Sequence, residues 1–231
     1  MQFGIVGHRG LPCRFPDNSL AGILAAREFC FMVETDVRCT RDRVPVMCHD
    51  ADFAGHPVHQ HTWAELQPLQ VGGHPLLRLD ELLAAGPLPL NLELKMHVGD
   101  FDWRPDDDFA RAVATQARPG DLLTSFHWPT MHTLRQQFPT LPTGLIVEHR
   151  MSLPDAFTAT QHHGHCALAL DNRLLGSDPL PILSPLLTAG LRLSVWTVND
   201  PVRAQLLLSL GVSPITDNAP LLIETNLQPA A

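Results

Sequence analysis

Residues 33 to 50, VETDVRCTRDRVPVMCHD, carry the densest chemistry in the chain. Glu34 and Asp36 lie two apart in a run that reads as a strand, Val33-Glu34-Thr35-Asp36-Val37. Side chains at i and i+2 of a strand share a face, so both carboxylates point one way. Two acids on an otherwise apolar strand are costly to bury unless something positive sits between them. A hard divalent cation, Mg²⁺ or Ca²⁺, meets that need, because both prefer carboxylate oxygens. The plainer reading is an exposed strand whose polar face meets water. A second strand-like run, Val44 to Cys48, ends in His49-Asp50.

Other reactive residues fall at the ends of similar runs. Phe3 to Val6 is short and β-prone and leads into His8-Arg9. Leu90 to Lys95 alternates cleanly, with Glu93 and Lys95 on one face and Leu92 and Leu94 on the other. Glu34, Asp36 and Glu93 together offer three oxygen ligands for one hard cation. Arg9 and Lys95 are either salt-bridge partners of those acids or contacts to an anion. Arg suits bidentate contact with phosphate and Lys a point contact. Metal, Arg and Lys together are what a phosphoryl group needs as charge builds on its oxygens. His8 and His49 add two groups that titrate near neutral pH, one to take a proton and one to give it. Asp50 either orients His49 or serves a turn.

A scaffold must bring these ends together. Asp17 or Asn18 can cap a helix over residues 19–29. The strands at 33–37 and 44–48 follow, then an irregular His-, Gly- and Pro-rich stretch over 51–75 with a possible helical turn at 62–66. A helix over 79–85 precedes the 90–95 strand. Beyond it, helix and strand patterns alternate: helices over 106–118, 129–137, 154–163, 179–189, 201–210 and 219–224, and strands over 121–126, 143–148, 166–171, 191–198 and 212–216. Eight strand-then-helix steps emerge when the His49 strand is treated as an excursion. Alternating βα units imply a parallel sheet, and eight of them in 231 residues imply a closed (β/α)8 barrel, a TIM barrel, as a single domain over 1–231. Chemistry in such a barrel sits at the C-terminal strand ends. The polar residues obey that rule, from His8 and Arg9 through Ser125 and His127, Glu148 and His149, Asp171 and Asn172, Trp196 and Asn199, to Asp217 and Asn218.

Composition narrows the partners. The formal net charge is −8 with only 16 Lys and Arg, which argues against a nucleic-acid backbone. No stretch of about 18 apolar residues suggests a membrane span, and the first residues do not read as a signal peptide. Five cysteines without CxxC spacing fit reduced thiols in a cytoplasmic protein. Nothing in the pattern sets an oligomeric state. His56, His59, His61 and His74 read as surface loop histidines, with metal ligation the lesser alternative.

In its motifs the chain resembles the glycerophosphodiester phosphodiesterase family. The family's opening His-Arg-Gly and Pro-Glu-Asn-Thr stretches are matched by His8-Arg9-Gly10 and Pro16-Asp17-Asn18-Ser19. Glu34-Thr35-Asp36-Val37, Pro45-Val46-Met47-Cys48-His49-Asp50 and Glu93-Leu94-Lys95 match its next three motifs. Trp196-Thr197-Val198-Asn199 and Thr216-Asp217-Asn218-Ala219-Pro220 match its closing pair. The resemblance implies a TIM barrel and a Mg²⁺- or Ca²⁺-dependent hydrolase of small-molecule glycerophosphodiesters. Its products would be glycerol 3-phosphate and an alcohol such as choline or ethanolamine. Carried over by residue, Glu34, Asp36 and Glu93 bind metal, His8 and His49 form the acid/base pair, and Arg9 and Lys95 hold the phosphate. Trp196 lines the pocket; its other reading is a filler of the barrel interior. The chain departs from the family after His49. The Arg-Thr-Thr-Asn-Gly stretch of many members is absent, and the excursion at about 50–78 is short. A more open mouth would admit a lysophospholipid or another phosphodiester. The rival from a different class is a non-catalytic binding module on the same barrel.

Overall fold

The computed structural model describes residues 3–86, 88–96 and 107–226. Among them, eight parallel strands close into a barrel: β1 (Val6–His8), β2 (Met32–Cys39), β3 (Leu90–Leu94), β4 (Leu122–Ser125), β5 (Thr143–Val147), β6 (Ala167–Asp171), β7 (Arg192–Trp196) and β8 (Ser213–Thr216). Closure is made by β1, which pairs on one side with β8 through Val6↔Ile215 and on the other with β2 through His8↔Glu34. The helices that follow these strands are α1 (Leu20–Ala25), α2 (Leu79–Ala84), α3 (Asp108–Gln116), α4 (Trp128–Gln137), α5 (Leu153–His163), α6 (Leu180–Thr188), α7 (Pro201–Ser209) and α8 (Ala219–Asn226). The expected TIM barrel is therefore what forms.

Alternation along the strands decides what faces where. In β3, Leu90, Leu92 and Leu94 are fully buried in the main hydrophobic core, while Asn91 and Glu93 line a central cavity. That core holds Leu123, Leu145, Leu168 and Val195 from the wall and Leu82, Val113, Leu134, Leu183 and Leu207 from the helices. Each such side chain contributes about 1.5–3 kcal/mol when fully buried.

The excursion has a geometric cause. β1 stops at His8, but β2 runs on to Cys39, so its last residues have an open edge. Pro45–Met47 fills that edge antiparallel, through Val37↔Met47 and Cys39↔Pro45. Leu77–Arg78 pairs in turn with Pro45–Met47 before α2 begins. Between them lie two short hairpins (Asp52–Phe53 with His56–Pro57, Gln70–Val71 with His74–Pro75) and a helical turn, Trp63–Leu66. Val46, Cys48, Val58, Leu66 and Leu76 bury together beneath them, a second small core that makes this segment an ordered platform beside the mouth.

Local details differ from the sequence reading in instructive ways. The cap of α1 is Ser19, whose hydroxyl accepts from the Gly22 N–H at 3.2 Å, not Asp17 or Asn18. The α-helix ends at Ala25 and continues as a 3₁₀ turn, Ala26–Glu28. Helix α3 starts at Asp108; Asp106, expected in its first turn, lies outside the described residues. Gly10 has φ +97°, and a Cβ there would stand 2.9 Å from the Gly22 backbone carbon. Only glycine lets α1 pack this close to the His8-Arg9 strand end.

Candidate active site

The carboxylates converge because two strands lie in register. Asp36 pairs with Glu93 and Glu34 with Asn91 across β2 and β3. One oxygen from each of Glu34, Asp36 and Glu93 lies within 4.8 Å of the others. Their exposures are 3%, 1% and 9%, so the strand does not present a polar face to water. Glu34 Oε1 is buried with no hydrogen-bond partner. Such an orphaned acceptor is costly to bury, and a hard cation satisfies it. Burial first, then the Asp36 and Glu93 charges, raise the Glu34 carboxyl well above the ordinary range. Burial also pushes Asp36 up, but Lys95 and then Arg9 outweigh it and bring that carboxyl to about 2. Two neighbouring acids driven in opposite directions mark a site arranged for bound charge.

Two cations border the carboxylates. Lys95 Nζ lies 2.6 Å from Glu93 Oε1 and 2.9 Å from Asp36 Oδ1. Burial lowers its pKa, but Glu93 and Asp36 more than reverse that. Arg9 adopts φ +54° and turns back over the strand ends. Its backbone N–H donates to Glu34 Oε2 at 3.1 Å, its Nη1 to Asp17 Oδ2 at 2.7 Å, and its Nε lies 3.4 Å from Asp36 Oδ2. The salt bridges considered for both residues are present, and both side chains also line the cavity.

The two histidines arrive along the same edge of β2, His8 at the end of β1 and His49 after the strand that fills the edge beyond it. His8 Nδ1 bonds Asp217 Oδ1 at 2.6 Å, while its Nε2 lies 3.9 Å from Glu34 Oε2. His49 reaches the mouth because the Pro45–Met47 strand returns along β2, with the Cys48 N–H donating to Asp36 O at 3.0 Å. Its Nδ1 bonds Asp50 Oδ1 at 2.8 Å, so Asp50 does contact His49. The buried Arg38 holds the His49 carbonyl through Nε at 2.9 Å. Trp196 donates its indole N–H to Ala169 O at 3.2 Å and stands edge-on to Phe126, with ring centroids 5.8 Å apart. It lines the mouth cavity.

His8, Arg9, Glu34, His49, Glu93, Lys95 and Trp196 thus share one cavity of about 170 Å³. A second cavity of about 470 Å³ opens beside it, sharing Arg9 and His49 and walled largely by the excursion. Of the other polar strand ends, Asp217 joins the site through His8, whereas Ser125, His127 and His149 stand apart. Ser125 Oγ bonds the Leu94 carbonyl at 2.8 Å, His127 Nδ1 bonds Thr130 Oγ1 at 2.9 Å, and His149 Nδ1 bonds Asp171 Oδ2 at 3.1 Å. None of these three histidine or serine side chains lines the two cavities. Of the excursion histidines, His74 lines the larger cavity, and the carboxylate triad is the one group with metal-binding geometry among the described residues.

Three residues escaped a role in the sequence reading. Asn18 was a candidate helix cap; with φ +58° it instead turns its amide onto Asp36, with Nδ2 to Oδ2 at 2.9 Å. Asparagine tolerates that backbone region, which was the available signal. Asp217 and Asn199 stand in the sequence as polar strand ends and as members of the two closing family motifs, without a role, and their partnership crosses from the end of β8 to the loop after β7.

The sequence model of the glycerophosphoryl diester phosphodiesterase family matches residues 8–222. The chain belongs to that family. Membership makes it an enzyme, a phosphoric diester hydrolase. A Mycobacterium tuberculosis (strain ATCC 25618 / H37Rv) protein named "Probable glycerophosphodiester phosphodiesterase 2" is 27% identical over 256 residues, covering 94% of this chain and 88% of the relative. YhdW of Bacillus subtilis (strain 168), provisionally named a glycerophosphodiester phosphodiesterase, is 25% identical over 243 residues and 94% of each chain. The fold is shared with an Oleispira antarctica phosphodiesterase solved in complex with the product sn-glycerol-3-phosphate, at a TM-score of 0.83 and 20% identity over 99% of this chain and 98% of that one. It is likewise shared with a Thermotoga maritima glycerophosphodiester phosphodiesterase, at a TM-score of 0.81 and 22% identity over 97% and 99%. Among the described residues, no helix is long and apolar enough to cross a membrane.

Proposed function

We propose that this family member hydrolyses glycerophosphodiesters to sn-glycerol 3-phosphate and an alcohol through His8 and His49. The observation that carries the reading is the buried, unpartnered Glu34 Oε1 within the Glu34, Asp36 and Glu93 group, in a cavity that two histidines and two cations also line. A Mg²⁺ or Ca²⁺ ion held by those three residues would supply positive charge to the phosphate oxygens. Arg9 and Lys95 hold the remaining phosphate charge, Arg9 by its planar fork and Lys95 as a point charge. One histidine takes the proton of the nucleophile, and the other gives a proton to the departing alkoxide. The nucleophile is either water, which yields glycerol 3-phosphate directly, or the substrate's neighbouring glycerol hydroxyl, which yields a cyclic phosphate that water then opens. Trp196 walls the cavity. The family's reaction and the product found on the Oleispira antarctica protein support this choice of substrate. One catalytic domain over 1–231, with the excursion at about 50–78 as a wall of its mouth, carries the whole reaction. The five free cysteines favour a reducing, cytoplasmic setting.

Release of glycerol 3-phosphate from glycerophosphocholine and glycerophosphoethanolamine, with Mg²⁺, Ca²⁺ or EDTA, tests this. The expected result is release that needs the metal and disappears in His8→Ala. No release by folded protein with either metal, across a broad phosphodiester panel, would leave a non-catalytic binding module.

One observation favours a second substrate class. Phe53, Val71 and Pro75 give the larger cavity an apolar stretch of wall near His49, beside the acidic Asp17, Asp50 and Asp52. That wall suits the acyl chain of a lysophospholipid better than a second polar head group.

A further inference from the structure

β1 carries His8, and each of the two strands that flank it contributes a Thr-Asp pair, Thr35-Asp36 in the middle of β2 and Thr216-Asp217 at the end of β8. Each pair is gripped by an asparagine in the same way. Asn18 Oδ1 accepts from Thr35 Oγ1 at 2.6 Å and from the Asp36 backbone N–H at 3.1 Å. Its Nδ2 then donates to Asp36 Oδ2 at 2.9 Å. Asn199 Oδ1 accepts from Thr216 Oγ1 at 2.9 Å and from the Asp217 backbone N–H at 2.9 Å, and its Nδ2 donates to Asp217 Oδ2 at 2.8 Å. With two donors on its oxygen, neither amide can turn over without losing both bonds.

On β2 the gripped carboxylate is one of the convergent triad. On β8 it is Asp217, whose other oxygen lies 2.6 Å from His8 Nδ1. The bond from His8 foremost, with that from Asn199, keeps the Asp217 carboxyl below the usual range. An ionised carboxylate only accepts hydrogen bonds. The proton of a neutral His8 must therefore sit on Nδ1, which leaves Nε2 as the free lone pair on the side of Glu34.

We infer that Asp217, held by Asn199, is a positioning residue that fixes the tautomer of His8 and aims its Nε2 at the reacting group. Asp217 acts through His8, and its contribution to turnover rests on the acid/base reading of His8 given above. The same arrangement of carboxylate behind imidazole selects the tautomer in unrelated hydrolases.

The geometry makes an unusual demand on Asp217→Asn. Asn199 still offers its Nδ2, so the introduced amide must turn its oxygen toward Asn199 and its NH₂ toward His8. His8 Nδ1 then becomes the acceptor, and the tautomer inverts. Exchanging the pair, Asn199→Asp with Asp217→Asn, reverses this. The carboxylate at 199 accepts from both the Thr216 side and the introduced amide, whose oxygen again faces His8.

Imidazole ¹⁵N NMR on protein without metal or substrate, followed upward in pH until the His8 signals stop moving, reads the neutral ring directly. The His8 signals are identified by their loss in His8→Gln. The expected series is Nδ1–H in the wild type, Nε2–H in Asp217→Asn and Nδ1–H again in the exchanged pair. In turnover, Asp217→Asn lowers kcat by about 100-fold while KM changes less than about threefold, and the exchanged pair recovers most of the loss. A structural role alone would leave the tautomer unmoved, so an unchanged His8 tautomer in Asp217→Asn overturns the inference. Asn199 is exposed, so Asn199→Ala probes the grip even if Asp217→Asn folds poorly: kcat falls about tenfold, and no fall overturns the role of Asn199. A wild type without hydrolase activity would defeat the functional reading, while the NMR series would still decide whether Asp217 sets the tautomer.

Discussion

Asn18 and Asp36 are joined twice: the Asn18 amide accepts from the Asp36 backbone and donates to the Asp36 carboxylate. This pairs a residue in the loop after β1 with the centre of β2 and ties the loop that carries Arg9 to the carboxylate group. Asn18→Ala leaves the Asp36 backbone N–H, the Asp36 carboxylate and the Thr35 hydroxyl each short of a buried partner. At about 1–3 kcal/mol for each unsatisfied group, the variant should unfold at clearly lower urea concentration than the wild type. A midpoint unchanged within error would show that the loop repacks to replace the lost bonds.

Glu34→Gln separates the metal site from the fold. Burial raises the Glu34 carboxyl well above the ordinary range, so the folded state disfavours its ionised form. A raised carboxyl pKa gives stability below the unfolded value of 4.5, and that stability is lost as pH rises toward the folded value. Without metal at pH 7, the amide should therefore be at least as stable as the native acid. Added Mg²⁺ or Ca²⁺ should raise the melting temperature of the wild type and leave Glu34→Gln unmoved. Equal metal-induced shifts in both proteins would remove Glu34 from the ligand set.

Far from the mouth, a histidine cluster should set the acid limit of the fold. His165 Nε2 lies 2.8 Å from His132 Nδ1, His165 Nδ1 lies 2.8 Å from Thr143 Oγ1, and the His132 and His163 rings stack with centroids 3.6 Å apart. Burial first, then His163 and His162, pull His132 down to about 4. Burial first, then His132, His163 and Arg135, pull His165 down to about 3. A depressed histidine pKa means that the unfolded chain binds the proton more readily. The stabilisation is full above about pH 6.5 and drains away as pH falls from there toward the folded values. Urea midpoints measured between pH 7 and 4 should fall less steeply in His165→Gln than in the wild type. Parallel slopes would assign the acid sensitivity to other groups.

The apolar wall of the larger cavity offers a test of substrate class. Val71 is 44% exposed and lines that cavity. Val71→Asp should weaken turnover of a lysophospholipid by about tenfold, through the loss of one apolar contact and the cost of taking water from a carboxylate that faces a hydrocarbon chain, and leave glycerophosphocholine turnover nearly unchanged. Equal effects on both substrates would place the acyl chain elsewhere.

Much of this protein is written locally. Strand alternation in Leu90 to Leu94 and the βα rhythm after it are short-range patterns, and they determine the barrel without further information. The i, i+2 spacing of Glu34 and Asp36 determines that both face inward once the strand is part of that barrel. What tertiary structure alone decided were relations between residues far apart in sequence. The register of β2 against β3 sets Glu93 beside Asp36. The early end of β1 leaves the open edge along which Pro45–Met47 brings His49 back. Barrel closure lays β8 against β1 and puts Asp217 behind His8, 209 positions away. An asparagine in a loop reads equally as a helix cap, a turn residue or a clamp on a carboxylate. The choice falls to whichever partner the closed barrel brings within about 3 Å, and for Asn18 that partner is Asp36 rather than the helix it precedes.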